Sequence, residues 1–153
     1  MKTTYYYNSP IGTIKFICDN EFLLEMKFVD DTGKKSTNYP QIVSTCKEQL
    51  DKYFEGKLKV FTIPLKLESG TKFQREVWKA LQSIPYGETR SYKDIAIQIG
   101  NPKAVRAVGG ANNKNPIGII IPCHRVIGSS GKLVGYASGL DKKEMLLKLE
   151  EKK

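Results

Sequence analysis

The chain has 153 residues, 40% of them apolar, enough for one ordinary core or two small ones; no run approaches the roughly 20 apolar residues that span a bilayer, so a soluble globular protein is expected. The opening stretch MKTTYYYNSPIG lacks the apolar run of a secretory signal, and Cys18, Cys46 and Cys123 can neither all pair nor form a CxxC clip, so free thiols in the cytosol are expected. The formal net charge of +9 sits unevenly: residues 1–69 carry 10 lysines against 9 carboxylates and residues 70–153 carry 15 Lys and Arg against 7, which suits a polyanion partner and equally a basic surface kept for solubility.

Short apolar runs at 4–7, 13–18 and 22–29, with Ser9-Pro10-Ile11-Gly12 and Asp19-Asn20 between them, predict an antiparallel meander of about three strands. Residues 30–40, polar and containing Gly33 and Pro40, read as a loop. Ile42, Val43, Cys46, Leu50, Tyr53 and Phe54 recur at helical spacing before Gly56, so a helix is expected to lie on the small sheet. Pro64 and Glu68-Ser69-Gly70 mark a boundary. We divide the chain into an N-terminal α/β domain, 1–68, and a mostly helical domain, 69–153, giving an α+β protein overall.

Thr71 offers an N-cap for a helix through Phe73, Val77, Trp78, Leu81 and Ile84, which Pro85 and Gly87 stop. Ser91 caps a second helix with Ile95, Ala96 and Ile99 as its apolar stripe, ending at Gly100. A third is expected from near Lys103 towards Asn112. Helix, short turn with glycine, helix is the spacing of a helix-turn-helix, and of any αα-hairpin. The third helix is nearly bare of bulk at Ala104, Ala107, Gly109, Gly110 and Ala111, although glycine is unfavourable within helices. Either another helix packs tightly there or the helix lies in a groove of nucleic acid, with Arg106 as its one long side chain. Its few base-reading side chains favour minor-groove or sequence-independent contact over a sequence-specific regulator.

After Asn115-Pro116, the β-branched run Ile119, Ile120, Ile121 predicts a buried extended segment that delivers Cys123 beside His124, the only histidine. A thiol becomes a nucleophile when a base takes its proton, and His124 can do so directly or through water. From the residues alone, Cys123 reads as well as a small buried hydrophobe, and His124 as a packing or capping residue.

The sequence IPCHRV at 121–126 resembles the active-site signature of the O6-alkylguanine-DNA alkyltransferases. The likeness extends over FQREVWKALQSIPYGETRSYKDIA (73–96), GNPKAVRAVGGANNKNPIGIIIPCHRVIGSSGKLVGYASGL (100–140) and KKEMLLKLE (142–150), in the family's order. Residues 1–68 show little specific likeness. The resemblance implies a ribonuclease-H-like first domain, a winged-helix-like second one, and direct repair: irreversible, single-turnover transfer of an alkyl group from O6-alkylguanine in double-stranded DNA to Cys123 after base flipping from the minor groove, with O4-alkylthymine left open as a second substrate. It further implies His124 as proton acceptor steered by Glu150, Tyr92 as donor to the departing base, Arg106 as the filler of the vacated stack, and Asn115 as a tie from the active-site loop to the recognition helix. Lys103, Ala104, Ala107 and Gly109, with Tyr92 and Arg106, would contact DNA. Val126, Tyr136, Ala137 and Ser138 would form the pocket, Tyr136 reading equally as a core aromatic. Ala137 stands where some members have serine, Ser138 occupies a variable position, and Val105 replaces a smaller residue. Such a protein would be a nucleoid-associated monomer (nuclear if eukaryotic) needing no cofactor. Some members bind zinc in the first domain, but Cys18 and Cys46 alone cannot close a four-ligand site, so no metal is expected. The alternatives are a lesion-binding module, whose known examples lack the cysteine, and a cysteine hydrolase or redox enzyme.

Overall fold

A computed structural model describes residues 2–30, 33, 39–131, 136 and 139–151. The loop expected at 30–40 falls largely outside them, as do Ala137 and Ser138. Two compact units divide at Glu68 and Ser69.

In the first unit, β1 (Thr3–Ser9), β2 (Gly12–Cys18) and β3 (Leu23–Val29) form an antiparallel meander in chain order. Tyr7 pairs with Ile14 and Phe16 with Met26, and the β2–β3 register shifts at Ile17 and Cys18. The period of two places Ile14, Phe16 and Cys18 on one buried face. Against that core lies α1 (Gln41–Phe54), burying Ile42, Val43, Cys46, Leu50 and Tyr53 at helical spacing. Leu65 adds a short parallel bridge to Leu23, with Lys66 N donating to the Leu23 carbonyl at 3.0 Å. The mixed α+β architecture expected from the pattern is the one observed.

The second unit is built on its caps. Thr71 and Gln74 form a reciprocal capping box on α2 (Lys72–Leu81), and Ser91 and Asp94 form another on α3 (Tyr92–Gln98). Trp78, on the buried face of α2, donates its indole N–H to the carbonyl of Ala111 at 2.8 Å, which fixes α4 (Val105–Asn113) against it. The turn between α3 and α4 is longer than expected: Ala104 N donates to Asn101 O at 3.0 Å, so Pro102 and Lys103 occupy a turn and the helix begins at Val105. Two residues of β4 (Arg90–Ser91) pair in parallel with β5 (Val126–Ile127), Arg90 against Val126 and Ser91 against Ile127. This short ladder carries the start of α3, and with it Tyr92, to the segment that follows Cys123. Helix α5 (Leu140–Glu151) closes the unit and buries Lys143, Leu146 and Glu150.

The extended segment expected at Ile119–Ile121 is not formed. Ile119 adopts φ +69, Ile121 N donates to Ile117 O, and Cys123 N donates to Ile121 O, so the run is a succession of turns. Burial still alternates, with Ile117, Ile119 and Ile121 inside. A left-handed β-branched residue is costly, and these buried anchors hold it there. Among the described residues no helix is long and apolar enough to cross a membrane.

Candidate active site

The turns end in a single 3-10 turn, Cys123–Arg125, whose three side chains are all buried. Two asparagines secure the approach. Asn115 Nδ2 donates to the Ile121 carbonyl at 2.7 Å while its Oδ1 accepts from Ile117 N at 3.0 Å, so one side chain clamps both ends of the isoleucine turns. From α4, Asn112 Nδ2 reaches the Cys123 carbonyl at 3.4 Å.

Cys123 is 6% exposed. Burial pushes its pKa up to about 11, although a hydrogen bond with Asn115 and the charge of Lys143 pull the other way. The Cys123 thiol is therefore neutral at pH 7. Tyr92 and Tyr136 lie within its electrostatic reach: burial raises both phenols, and the Cys123 charge adds to it. Lys143 is fully buried, its Nζ 5.8 Å from the Tyr92 ring. Burial lowers its ammonium to about 8, opposed by the attraction of a Cys123 anion.

On the other side of the turn, His124 Nε2 lies 2.7 Å from Glu150 Oε2. Arg125 grips the same carboxylate at both oxygens, Nε to Oε1 at 2.8 Å and Nη2 to Oε2 at 3.0 Å, and its Nη1 donates to the Ile84 carbonyl at 2.7 Å. Burial alone would raise the Glu150 carboxyl, but the bonds and charges of His124 and Arg125 outweigh it and hold the group down to about 2. An ionised carboxylate only accepts, so His124 carries its proton on Nε2. Burial also keeps the imidazole below its usual pKa, against the pull of Glu150, and hence neutral at pH 7. That tautomer leaves Nδ1 as an acceptor, and Nδ1 is buried without a partner among the described residues.

The expected site residues thus separate into two groups. Cys123, His124, Glu150, Asn115, Tyr92 and Val126 surround the turn, with Tyr136 electrostatically linked to it. Lys103, Arg106 and Ala107 are exposed along the start of α4, with Ala104 and Gly109 partly so. A Cβ on Gly110 would meet nothing within 4 Å, and one on Gly109 would make only ordinary contact with the Tyr92 ring at 3.9 Å. Tight helix packing within this chain therefore does not require either glycine. Three buried polar residues of the second unit escaped the sequence reading: Asn112, Arg125 and Lys143. Arg125 lies within IPCHRV and Lys143 within KKEMLLKLE, so position was visible but burial was not. Among the described residues no three His, Cys, Asp or Glu side chains group as a metal site.

The 6-O-methylguanine DNA methyltransferase ribonuclease-like domain matches residues 1–67 and the DNA binding domain of the same family matches residues 72–152. The chain belongs to this family. A methylated-DNA--protein-cysteine methyltransferase of Methanosarcina acetivorans is 55% identical, the alignment covering 95% of this chain and 97% of that one. The crystal structure of the Mycobacterium tuberculosis O6-methylguanine methyltransferase superimposes with a TM-score of 0.88 at 48% identity, over 99% of this chain and 93% of that one. The Mycobacterium tuberculosis OGT in complex with DNA gives 0.87 at 50% identity, over 95% and 91%. The family's likeness to the chain thus includes the first 67 residues, where the sequence offered no specific motif.

Proposed function

We propose that this alkyltransferase repairs DNA by moving the alkyl group of O6-alkylguanine onto Cys123, once per molecule. The observation that carries the reading is the pairing of a buried thiol with a neutral, carboxylate-oriented imidazole whose second nitrogen is free to accept a proton. The Sγ–C bond forms as the C–O6 bond breaks, the thiol proton passes to His124 Nδ1 through a water, and the electron pair leaves with guanine. Tyr92 donates its hydroxyl to the departing base, and Lys143 favours the developing sulfur anion. The thioether has no leaving group for water to displace, so the protein is consumed.

A stacked base cannot meet a sulfur held inside a protein, so the nucleotide must be extruded. The exposed, nearly bare start of α4 supports minor-groove seating, with Arg106 filling the vacated stack. Lys103, Ala104, Ala107 and Gly109 would lie along the backbone, and the excess positive charge of residues 70–153 would supply affinity indifferent to sequence. Val126 and Tyr136 would line the base pocket, and Asn115 would hold the loop that shapes it. Such a protein would act as a monomer on cytosolic or nucleoid DNA.

Intact-protein mass spectrometry after mixing with an O6-methylguanine oligonucleotide tests this. A gain of one methyl for one hydrogen on the Cys123 peptide, saturating at one equivalent, is expected. Product exceeding protein would indicate a hydrolase, and tight lesion binding with an unmodified cysteine would indicate a recognition module.

A further inference from the structure

The turn at 85–88, between α2 and α3, packs on the Arg125–Glu150 ion pair. Glu88 N donates to the Pro85 carbonyl at 3.1 Å, and Gly87 at the third position takes φ +81, a left-handed corner that side chains disfavour. A Cβ on Gly87 would lie 3.3 Å from the Glu150 backbone oxygen, so the turn sits close against the end of α5. Between Pro85 and Gly87 stands Tyr86. Its hydroxyl reaches the Leu149 carbonyl at 3.5 Å, and Arg125 Cζ lies over its ring, 5.7 Å from the centre.

Guanidinium N–H groups point outward in one plane, and here all three nitrogens are engaged, Nε and Nη2 with Glu150 and Nη1 with the Ile84 carbonyl. Bonds in that plane leave the faces of the group to whatever packs on them. The face of an aromatic ring carries the negative part of its quadrupole, so Tyr86 attracts the cation where an aliphatic side chain would only fill space. At 7% exposure, Arg125 has little water to compete with that attraction.

We propose that Tyr86 is a positioning residue for the transfer: its ring keeps the Arg125 guanidinium seated on Glu150, and so steadies the carboxylate that orients His124. The inference rests on the alkyl-transfer reading above. Tyr86 acts through Arg125 rather than on the reacting atoms. His124 reports its effect. Burial holds the imidazole low, the bond and charge of Glu150 raise it, and Arg125 of the same turn and Lys143 of α5 lower it. A guanidinium loosened from Glu150 offsets the carboxylate less, so the imidazole takes up its proton at a higher pH.

The test is single-turnover transfer from an O6-methylguanine duplex as a function of pH, for Tyr86→Leu and Tyr86→Phe, with lesion affinity measured in parallel. Tyr86→Leu should slow transfer at pH 7 about fivefold, within the range of a desolvated cation–π contact, at nearly unchanged affinity. Its rate should also begin to fall at a higher pH than the parent's. Tyr86→Phe keeps the ring and loses only the long bond to Leu149, so its rate should stay within about twofold of the parent and its pH profile should match. Should Tyr86→Leu not fold, Tyr86→Met takes its place. A leucine variant as fast as the parent, a slow one with an unshifted pH profile, or a phenylalanine variant as slow as the leucine one would each overturn the proposal. An absence of transfer in the parent protein would instead overturn the functional reading on which it rests.

Discussion

Glu150 Oε2 lies 2.7 Å from His124 Nε2 and 3.0 Å from Arg125 Nη2, so one carboxylate oxygen accepts from two N–H donors of the same 3-10 turn. The geometry sets the tautomer of the neutral imidazole and neutralises the Arg125 cation, so the carboxylate has two separate roles. Glu150→Gln removes the charge while keeping the shape. It leaves Arg125 buried without an anion and lets the imidazole choose either tautomer. Transfer should fall by about 100-fold, the scale of a positioned general base, and stability by about 3 kcal/mol, the scale of a broken buried pair. Single-turnover kinetics and urea titration check the two effects separately.

The same carboxylate sets an acid limit. Its folded pKa is about 2 against an ordinary 4.5, so an unfolded chain takes up a proton that the folded one refuses. The resulting stability is complete above pH 4.5 and is lost as pH falls towards 2. Urea midpoints measured across that window should decline in the parent and flatten in Glu150→Gln. For His124 the depressed pKa predicts a transfer rate that stays level down through pH 6.5 and falls below it.

Lys143→Met should separate stability from activity. A buried ammonium held at about 8 rather than 10.5 opposes folding at pH 7, and in the parent stability should rise between those values because the unfolded chain then binds more protons. The methionine variant should melt a few degrees higher at neutral pH and lack that rise. It should also transfer more slowly, since the cation that favours the sulfur anion is gone. A variant equally fast would exclude Lys143 from the chemistry.

Cys123→Ala should abolish transfer while lesion binding stays within about threefold, because the pocket and α4 do not depend on the sulfur. Equal loss of both in a mobility-shift assay would make the residue structural. Arg106→Ala should slow repair of duplex DNA by an order of magnitude or more, yet leave reaction with free O6-benzylguanine base nearly unchanged, as a free base needs no place-holder in a stack. Comparable losses on both substrates would remove that role.

Local signals made the scaffold legible. The alternation in β2 showed which face of the sheet is buried, and Thr71 and Ser91 announced their helices because a capping box depends only on residues three apart. The isoleucine run misled for the same reason that strands are usually found: β-branched residues favour extended backbone, and nothing adjacent signals that Asn115 will clamp the segment into turns. Lys143 was passed over because a lysine on an amphipathic helix ordinarily reaches solvent, whereas here its environment is made by Cys123 and Tyr92, distant in sequence. Arg125 was hidden likewise, since its partners Ile84 and Glu150 come from other elements. The site's chemistry was visible as a motif, and its electrostatics only as a fold.

The bond from Trp78 to Ala111 gives the protein an optical channel of its own. Trp78 is the chain's only tryptophan and is sealed from water, and its indole proton rests on the backbone of the very helix expected to settle onto DNA. Any bending or sliding of that helix must lengthen or reorient this one contact. Emission from an unlabelled sample would then register seating on the duplex in real time, with no competing fluorophore of its kind to subtract.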